Sequence, residues 1–262
     1  MPRVSVVIRC YGHAALLPQA VGSVVRQTYA DWECVVVNDG SPDDTSGAFR
    51  ALAAAHPGRA LRLVEQENRG PPGALDAGIA AATGELVLPL DADDLLHGTF
   101  LEKTVAALDR DPGAGVAFTD VLLFEDGGAA RRALMGPFDL ASLAERNRLV
   151  VTSLFRRRLW EEAGGFSDDL SAGYEDWDFW LSCAERGVRA VHVAEPLAFY
   201  RVKGGAGGAR SNAALAHDAS LRALLVRRHP KAYSPAARAL AERVLAESPP
   251  PRRPRRDAQE DA

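Results

Sequence analysis

Residues 85–94 read ELVLPLDADD, an apolar run that passes directly into acidic residues at positions 91, 93 and 94. An apolar run of this length is typical of a buried strand, so we predict a strand over 85–90. Strands buried on both faces belong to parallel sheets covered by helices. Ligands of such sheets bind at the carboxyl ends of the strands. The stretch therefore predicts a parallel α/β sheet with a polar site at this strand end.

The sequence before this stretch alternates between strand and helix patterns. Short apolar runs rich in β-branched residues predict strands over 4–8, 33–37 and 61–64. Helical spacing and turn-forming residues predict helices over 14–27, 43–55 and 71–82. The order βαβαβαβ predicts an α/β fold with a doubly wound, mostly parallel sheet and helices on both of its faces.

The pattern changes from about residue 99. We predict further strands over 115–119, 121–125, 188–193 and 197–202. We predict helices over 99–109, 156–163, 175–186, 213–227 and 234–246. Residues 204–208 are Gly-rich and are expected to form a loop, and the Pro- and Arg-rich tail over 248–262 is expected to be disordered. This organisation suggests an α/β domain over 1–203, a C-terminal loop and helices over 204–247, and the tail.

Composition narrows the class of protein. Hydrophobic residues make up 47% and charged residues 25% of the 262 residues, and the net charge is −4. These values are typical of a folded globular protein and do not favour nucleic acid or an anionic membrane as the main partner. The three cysteines form no CxxC pair, which argues against that kind of zinc site and fits a reducing compartment. We expect a cytoplasmic protein with at most peripheral contact, through its basic tail, at the inner face of a membrane.

Asp91 and Asp93 lie two positions apart directly after the predicted strand. Two carboxylates that converge in one crevice repel each other, unless a cation lies between them. A divalent ion such as Mg²⁺ or Mn²⁺, bound to a diphosphate, would supply that charge. The alternative is an acidic turn that caps the next helix.

Asp39 ends the second predicted strand within the sequence VVVNDGS. Asp is common in turns and at helix N-caps, which is the simpler interpretation. In a ligand crevice the same carboxylate could accept a hydrogen bond from the imide N–H of a nucleobase or from a ribose hydroxyl.

Residues 174–178, YEDWD, place three carboxylates at the start of a predicted helix. Such residues stabilise the first turn by interacting with the helix dipole. One of them could instead act as a general base toward a sugar hydroxyl. The dipole would lower its pKa and the apolar neighbours Trp177 and Trp180 would raise it, so the sequence leaves the direction open.

Several motifs of other enzyme classes are absent from the sequence. There is no GxxxxGK[ST] phosphate loop, no GxGxxG after the first strand and no GxSxG elbow. The six histidines form no pair at metal-ligand spacing. These absences argue against a P-loop enzyme, a dinucleotide-binding domain and an α/β-hydrolase.

Four blocks of the chain, taken together, resemble glycosyltransferase family 2. The blocks are VSVVIRCYGHAALLPQAVGSVVRQTYADWECVVVNDGSPDDT, ENRGPPGALDAGIAAATGELVLPLDADD, SLFRRRLWEEAGGFSDDLSAGYEDWDFWLSCAERG and FYRVKGG. They follow each other at family-like spacing and cover about residues 3–203. The resemblance implies a GT-A fold and an inverting enzyme that moves a sugar from a nucleotide-diphosphate donor, by default a UDP-sugar, to an acceptor hydroxyl.

The resemblance also implies roles for the matched positions. Asp39 would bind the nucleobase, Asp91 would lie near the ribose or the metal, and Asp93 would coordinate Mg²⁺ or Mn²⁺. Asp176 would be the catalytic base that deprotonates the acceptor. We assign Arg69 and Lys203 to donor binding as well, and Glu175 and Trp177 to acceptor binding, although Trp177 or Trp180 could be a core residue. The acceptor would be a glycan, a lipid-linked sugar or a small molecule.

Three positions depart from the family pattern. Arg9 stands where many members have Pro, Asp76 stands where Asn is common, and Lys203 stands where many members have a metal-binding His. A protonated Lys cannot ligate a metal ion. Our hypothesis is that Lys203 contacts the diphosphate directly and leaves the metal with fewer protein ligands.

Two other functions remain open at this point. A nucleotidyltransferase also places acidic metal ligands on an α/β sheet, but it would usually have a Gly-rich, basic loop after the first strand, where Arg9 is the one basic residue. A catalytically silent nucleotide-sugar-binding domain has no physical need to keep Asp39, Asp93 and Asp176 together.

The hypothesis for Lys203 predicts the effect of one substitution. Lys203→His should make nucleotide binding more dependent on Mn²⁺, because an imidazole can ligate the ion and an ammonium cannot. A Mn²⁺ titration of nucleotide binding measures this dependence. An unchanged titration would contradict the hypothesis.

Overall fold

The fold is described by a computed structural model over residues 1–202 and 212–251. These residues form one mixed sheet in the order β3-β2-β1-β4-β8-β6-β9-β5, with β7 paired to β6. The strands are β1 (Val4–Cys10), β2 (Trp32–Asp39), β3 (Leu61–Gln66), β4 (Leu86–Asp91), β5 (Leu95–Leu96), β6 (Ala114–Phe124), β7 (Arg131–Ala133), β8 (Leu154–Arg156) and β9 (Arg189–Arg201). Lys203, the predicted loop 204–208 and residues 252–262 of the predicted tail lie outside the described residues.

The longer strands pair in parallel. β1 lies between β2 and β4, β3 adds to β2, and β6 pairs with β9. The short strands β5, β7 and β8 pair antiparallel. The predicted mostly parallel sheet is confirmed, and the apolar runs in β1, β2 and β4 explain it, because strands covered on both faces need apolar residues throughout.

Helices cover both faces of the sheet. They are α1 (Leu17–Val25), α2 (Thr45–Ala55), α3 (Gly70–Ala81), α4 (Phe100–Arg110), α5 (Leu140–Glu145), α6 (Arg157–Ala163), α7 (Glu175–Glu185), α8 (Asn212–Ala216), α9 (Asp218–Arg228) and α10 (Pro235–Glu247). One buried apolar cluster contains Leu17, Phe49 and Phe100 of α1, α2 and α4 against one face. A second contains residues of α3, α6, α7, α9 and α10 against the other face. The doubly wound arrangement is therefore confirmed.

Two pairs of predicted strands are single strands in the structure. Residues 115–119 and 121–125 belong to β6, and residues 188–193 and 197–202 belong to the thirteen-residue β9, apart from Val188, Glu125 and Val202, which lie just outside. The β6–β9 register shifts between Thr119 and Val121, beside Pro196. A bulge tolerates the missing N–H of Pro196 and disturbs the alternation that marks one continuous strand.

The C-terminal helices share a core with the sheet. Leu221 and Leu225 of α9 and Leu245 of α10 lie in the same apolar cluster as Trp180 of α7. Asp178 of α7 binds the Arg228 guanidinium at 2.6 and 3.0 Å and the His229 ring at 2.8 Å. Among the described residues, no helix has the length and hydropathy needed to cross a membrane.

The close contact of α3 with the sheet depends on Gly78. A Cβ atom at this position would lie against Val7 and 2.8 Å from Cγ2 of Val37, both of which are buried in the sheet. The helix can therefore approach β1 and β2 only where it has no side chain. This contact sets how closely α3 packs on β1 and β2.

Gly78→Val should lower the free energy of unfolding by about 1–3 kcal/mol, because the added side chain overpacks the helix–sheet contact. Ala80→Val on the exposed side of the same helix is the matched control and should cost only a few tenths of a kcal/mol. Urea unfolding measures both. Equal losses for the two variants would contradict the proposed contact.

Candidate active site

Polar side chains gather at the carboxyl ends of β1, β2 and β4, as the sequence predicts. The start of α7 and the end of β9 face the same region. The charges of four carboxylates act on Tyr200 of β9: those of Asp91, Asp93, Asp94 and Asp176. Burial and these four carboxylates raise the pKa of Tyr200 far above its ordinary value. The acidic residues at the end of β4 and those at the start of α7, more than 80 positions apart in the sequence, therefore lie close together.

Arg9 connects these two acidic groups. Arg9 and Asp91 are register partners in the β1–β4 pair, so their side chains leave the sheet side by side. The guanidinium binds both oxygens of Asp91, through Nε and through Nη2 at 3.1 Å, and its Nη1 donates to Oε1 of Glu175 at 2.6 Å. Burial alone would lower the pKa of Arg9, but the charges of Asp91 and Glu175 outweigh burial and raise it well above its ordinary value. Arg9 is therefore a permanent cation at this site.

The turn after β4 concentrates negative charge. Asp94 is 4% exposed and its Oδ1 accepts the backbone N–H of Arg201 at 2.8 Å. Arg201 Nε donates to the backbone carbonyl of Asp93 at 2.8 Å, and its other nitrogens bind Asp126 and Gln19. Burial and the charges of Asp91 and Asp93 raise the pKa of Asp94 well above its ordinary range.

The residues of this turn can accommodate a divalent cation only together with a ligand. Among residues 1–202 and 212–251, no group of three His, Cys, Asp or Glu side chains is arranged to hold a metal ion. Arg9 binds both oxygens of Asp91, and Oδ2 of Asp93 lies 3.8 Å from Nε2 of His13. Mg²⁺ typically takes one or two carboxylates and completes its shell with phosphate oxygens and water. The clustered carboxylates of the turn therefore fit a cation that is shared with a diphosphate.

Asp39 lies beneath the start of α3. Its Oδ1 accepts from Gln66 Nε2 at 2.7 Å and from the backbone N–H of Arg69 at 2.6 Å, and its Oδ2 accepts the N–H of Gly70 at 2.8 Å. The side chain is 3% exposed. A carboxylate has about four acceptor positions, of which these donors use three.

The loops after β2 and β3 touch each other beside Asp39. Gly40 has φ +66°, and a Cβ atom there would lie 2.6 Å from the backbone nitrogen of Asn68. The position requires glycine both for its left-handed backbone and for this contact. Arg69 follows in the second loop, with an exposed side chain. Arg69 is thus placed at the rim of the crevice next to Asp39.

The start of α7 holds Glu175 and Asp176. Asp176 Oδ2 accepts from Asn147 Nδ2 at 3.0 Å, and Oδ1 accepts from the backbone N–H of Trp177 at 2.7 Å. Burial, followed by the charge of Glu175, raises the pKa of Asp176 to about 7, against the lowering effect of these hydrogen bonds and of Arg9. Burial therefore outweighs the helix terminus, a balance that the sequence leaves open.

Tyr174 fixes the geometry of this helix start. Among the described residues it is the one non-glycine with positive φ, at 71°. Such a backbone is costly unless tertiary contacts impose it. Its hydroxyl donates to Asp218 of α9, and its ring packs edge-on against Trp177 at 5.3 Å. The C-terminal helices therefore hold the turn that aims Glu175 and Asp176.

The expectation that Trp177 contacts an acceptor needs correction. Trp177 is 2% exposed, and its indole N–H donates to the backbone carbonyl of Leu143 at 2.7 Å. Trp180 is fully buried as well. Both rings pack in the core, so neither presents a face to a sugar, and core packing is the interpretation that the structure supports.

The sequence patterns assign no role to several side chains of this region. In the sequence, Arg9 is a departure from a family pattern and the one basic residue after the first strand; its place one strand away from Asp91 in the predicted parallel sheet is the signal that indicates their pairing. Asn147 lies in a segment whose short helix α5 has too few residues to show a helical period. Arg201 and Tyr200 belong to β9, which was predicted as two strands.

The three hydrogen bonds that the Asp39 carboxylate accepts predict that its substitution lowers the stability of the fold. Asp39→Asn turns one acceptor oxygen into a donor that faces N–H groups, which should lower the free energy of unfolding by about 1–3 kcal/mol. Asp44→Asn is the matched control, because the exposed Asp44 caps α2 through Gly47 N–H and Asn caps about as well as Asp. Urea unfolding measures both; an unaffected Asp39→Asn protein would contradict the structural role.

Comparison with known proteins supports the resemblance. The model of the family described as glycosyl transferase family 2 matches residues 5–179. An uncharacterized glycosyltransferase of Nostoc is 36% identical over 145 residues, which are 54% of this chain and 45% of that protein. A PGL/p-HBAD biosynthesis glycosyltransferase of Mycobacterium tuberculosis is 30% identical over 213 residues, 78% of each chain. The chain spans less than half the length of the Nostoc relative.

Solved structures share the architecture. Staphylococcus aureus TarS, residues 1–349 in complex with UDP, aligns with a TM-score of 0.68 and 19% identity over 94% of this chain and 70% of that chain. The mannosyltransferase PcManGT of Pyrobaculum calidifontis, in complex with GDP-Man and Mn²⁺, aligns with a TM-score of 0.62 and 25% identity over 94% of this chain and 80% of that chain. The family match covers most of the residues that build the sheet and the crevice. The chain therefore belongs to glycosyl transferase family 2 and has the GT-A fold.

Proposed function

We propose that this chain is an inverting glycosyltransferase that moves a sugar from a nucleotide-diphosphate donor to an acceptor hydroxyl. The observation that carries the proposal is the position of Asp176: Asn147 binds its carboxylate, and its neighbour Glu175 is joined through Arg9 to Asp91 at the end of β4. In this position, burial and the charge of Glu175 raise the pKa of Asp176 to about 7. A carboxylate with such a pKa is matched to proton abstraction near neutral pH. Family membership and the nucleotide-bound relatives TarS and PcManGT support the same class of donor.

The donor would lie across the ends of β1, β2 and β4. The remaining acceptor position of Asp39 suits the imide N–H of a base, and Arg69 at the rim suits a phosphate or ribose oxygen. Asp91, held by Arg9, would accept from a ribose hydroxyl. A UDP-sugar remains our default donor, while the GDP-Man of PcManGT shows why GDP- and dTDP-sugars belong in any test.

The reaction would be one in-line displacement. The acceptor hydroxyl gives its proton to Asp176, and its oxygen attacks C1 of the sugar opposite the diphosphate, so the bond from C1 to the diphosphate breaks and the configuration inverts. Asn147 orients the Asp176 carboxylate through its amide N–H. Mg²⁺ or Mn²⁺, held by Asp93 and the diphosphate, would neutralise the charge of the leaving group. The Glu175 carboxylate lies beside the base and would border the acceptor.

The acceptor is proposed only as a class. One relative is named for PGL/p-HBAD biosynthesis, and another is a putative glycosyltransferase EpsE of Bacillus subtilis. A glycan, a lipid-linked sugar or a small molecule would suit such a role, in the synthesis of a polysaccharide, glycolipid or glycoconjugate.

The test is the release of nucleoside diphosphate from a panel of UDP-, dTDP- and GDP-sugars, with Mn²⁺ or with EDTA. We expect one donor to be used in preference, and Asp176→Asn to lower the rate about 100-fold or more, because general bases typically contribute that much. The exposed Asp168→Asn, eight residues earlier, is the matched control and should keep the rate. The proposal would be contradicted if no donor released nucleoside diphosphate and no donor showed metal-dependent nucleotide binding.

A further inference from the structure

Arg9 is a single side chain that reaches both halves of the site. It is the penultimate residue of β1, which lies between β2 and β4, and its register partner is Asp91. Its guanidinium binds Asp91 on the donor side and Glu175 on the acceptor side. Arg9 is 17% exposed and Glu175 only 7%, as side chains. Water therefore screens this pair much less than it screens a surface ion pair.

The surroundings of Asp176 are otherwise negative or neutral. Glu175 precedes it on α7, Asp91, Asp93 and Asp94 face the region from the end of β4, and Tyr200 faces it from β9. Asn147 contributes a neutral amide from the segment before β8. Among the described groups that act on Asp176, Arg9 is the cation. Arg201, the second guanidinium of the site, binds the backbone carbonyl of Asp93 and the side chains of Asp126 and Gln19.

We propose that Arg9 is a positioning residue that ties the donor-side carboxylate Asp91 to Glu175 and thereby keeps Asp176 in its proton-accepting form. The inference rests on the proposed function of Asp176 as the base. Arg9 acts in two ways: it fixes the first residue of α7 against the sheet, and it offsets the charge of Glu175 next to the base. A residue without a cationic side chain at position 9 could do neither.

The matched control lies at the other end of the same strand. Arg3 precedes β1 and also binds two carboxylates, Glu85 at 3.0 Å and Asp109. That guanidinium lies at the amino ends of the strands, far from Asp176. Arg3→Gln and Arg9→Gln therefore remove the same group with the same kind of partners, and they differ in their distance from the base.

The first measurement is the titration of Asp176 by carbon NMR of protein labelled at the aspartate carboxyl carbons, with the signal assigned by its loss in Asp176→Asn. We expect the midpoint to rise by about 1 pH unit in Arg9→Gln, because the variant loses a cation that acts on Asp176 and leaves the charge of Glu175 without its partner; a neighbouring charge typically shifts a pKa by 1–3 units. Arg3→Gln should keep the wild-type midpoint. Arg9→Lys should restore most of the midpoint, since it restores the charge.

The second measurement is the pH dependence of nucleoside diphosphate release from the donor that the wild type uses best. With such a shift, the ionised fraction of Asp176 at pH 7 falls from roughly a half to roughly a tenth. We expect Arg9→Gln to lose about fivefold in rate at pH 7 through this effect and to regain it above about pH 9. Arg9→Lys should keep the wild-type pH profile with a lower plateau, because an ammonium cannot bind Asp91 through two nitrogens and reach Glu175 as well.

Failure of the role of Arg9 and failure of the role of Asp176 as the base give different results. An unchanged Asp176 midpoint in Arg9→Gln, or an equal shift in Arg3→Gln, would overturn the role of Arg9 even if Asp176→Asn abolishes transfer. Full activity of Asp176→Asn would instead overturn the proposed base. If Arg9→Gln fails to fold, Arg9→Lys decides: a wild-type plateau and profile would show that bidentate binding of Asp91 does not matter, and the inference would be wrong.

Discussion

Repulsion among the carboxylates after β4 is the constraint around which the site is arranged. Asp91, Asp93 and Asp94 lie within four positions at the end of a buried strand, where neighbouring charges are costly. Two arginines from other strands offset these charges. The Arg9 guanidinium binds the Asp91 carboxylate. Arg201 donates its Nε–H to the Asp93 carbonyl and its backbone N–H to the Asp94 carboxylate. Asp93, whose Oδ2 lies 3.8 Å from Nε2 of His13, adds a third negative charge to this turn, and a cation bound to a diphosphate would balance the group.

A second buried carboxylate, Asp178 of α7, is also offset by basic partners. Asp178 is buried, and burial alone would raise its pKa, but His229 and Arg228 outweigh this effect and lower it. A buried carboxylate with both partners in place gives a defined geometry, whereas the loss of one partner would leave an expensive charge. Through these contacts and the bond from Tyr174 to Asp218, the C-terminal helices hold α7 in place. They thus take part in positioning Asp176, 40 or more residues away along the chain.

Asp39 shows how one residue can have a structural and a binding role at once. Three donors from the protein hold its carboxylate at the start of α3. That fixed orientation reduces the entropy that a ligand would otherwise have to supply by ordering the side chain. The simpler interpretation of this Asp as a turn residue and its interpretation as a base-binding residue are therefore compatible, and any loss of donor affinity in its variants has to be separated from loss of stability.

The sequence by itself determined the parallel half of the sheet, the strand-end position of Asp39 and Asp91, and the family. These features depend on local patterns, namely apolar runs, turn residues and motif spacing. The apolar runs are visible in the sequence because each of these strands is buried on both faces. It did not determine the continuous strands β6 and β9, because a bulge interrupts their alternation, nor the core position of Trp177, because a Trp at a helix start can face either way. Only the tertiary structure brought Arg9, Asp91 and Glu175 together and set the pKa of Asp176. Those properties arise from burial and from charges far apart in the chain, and no local pattern encodes them.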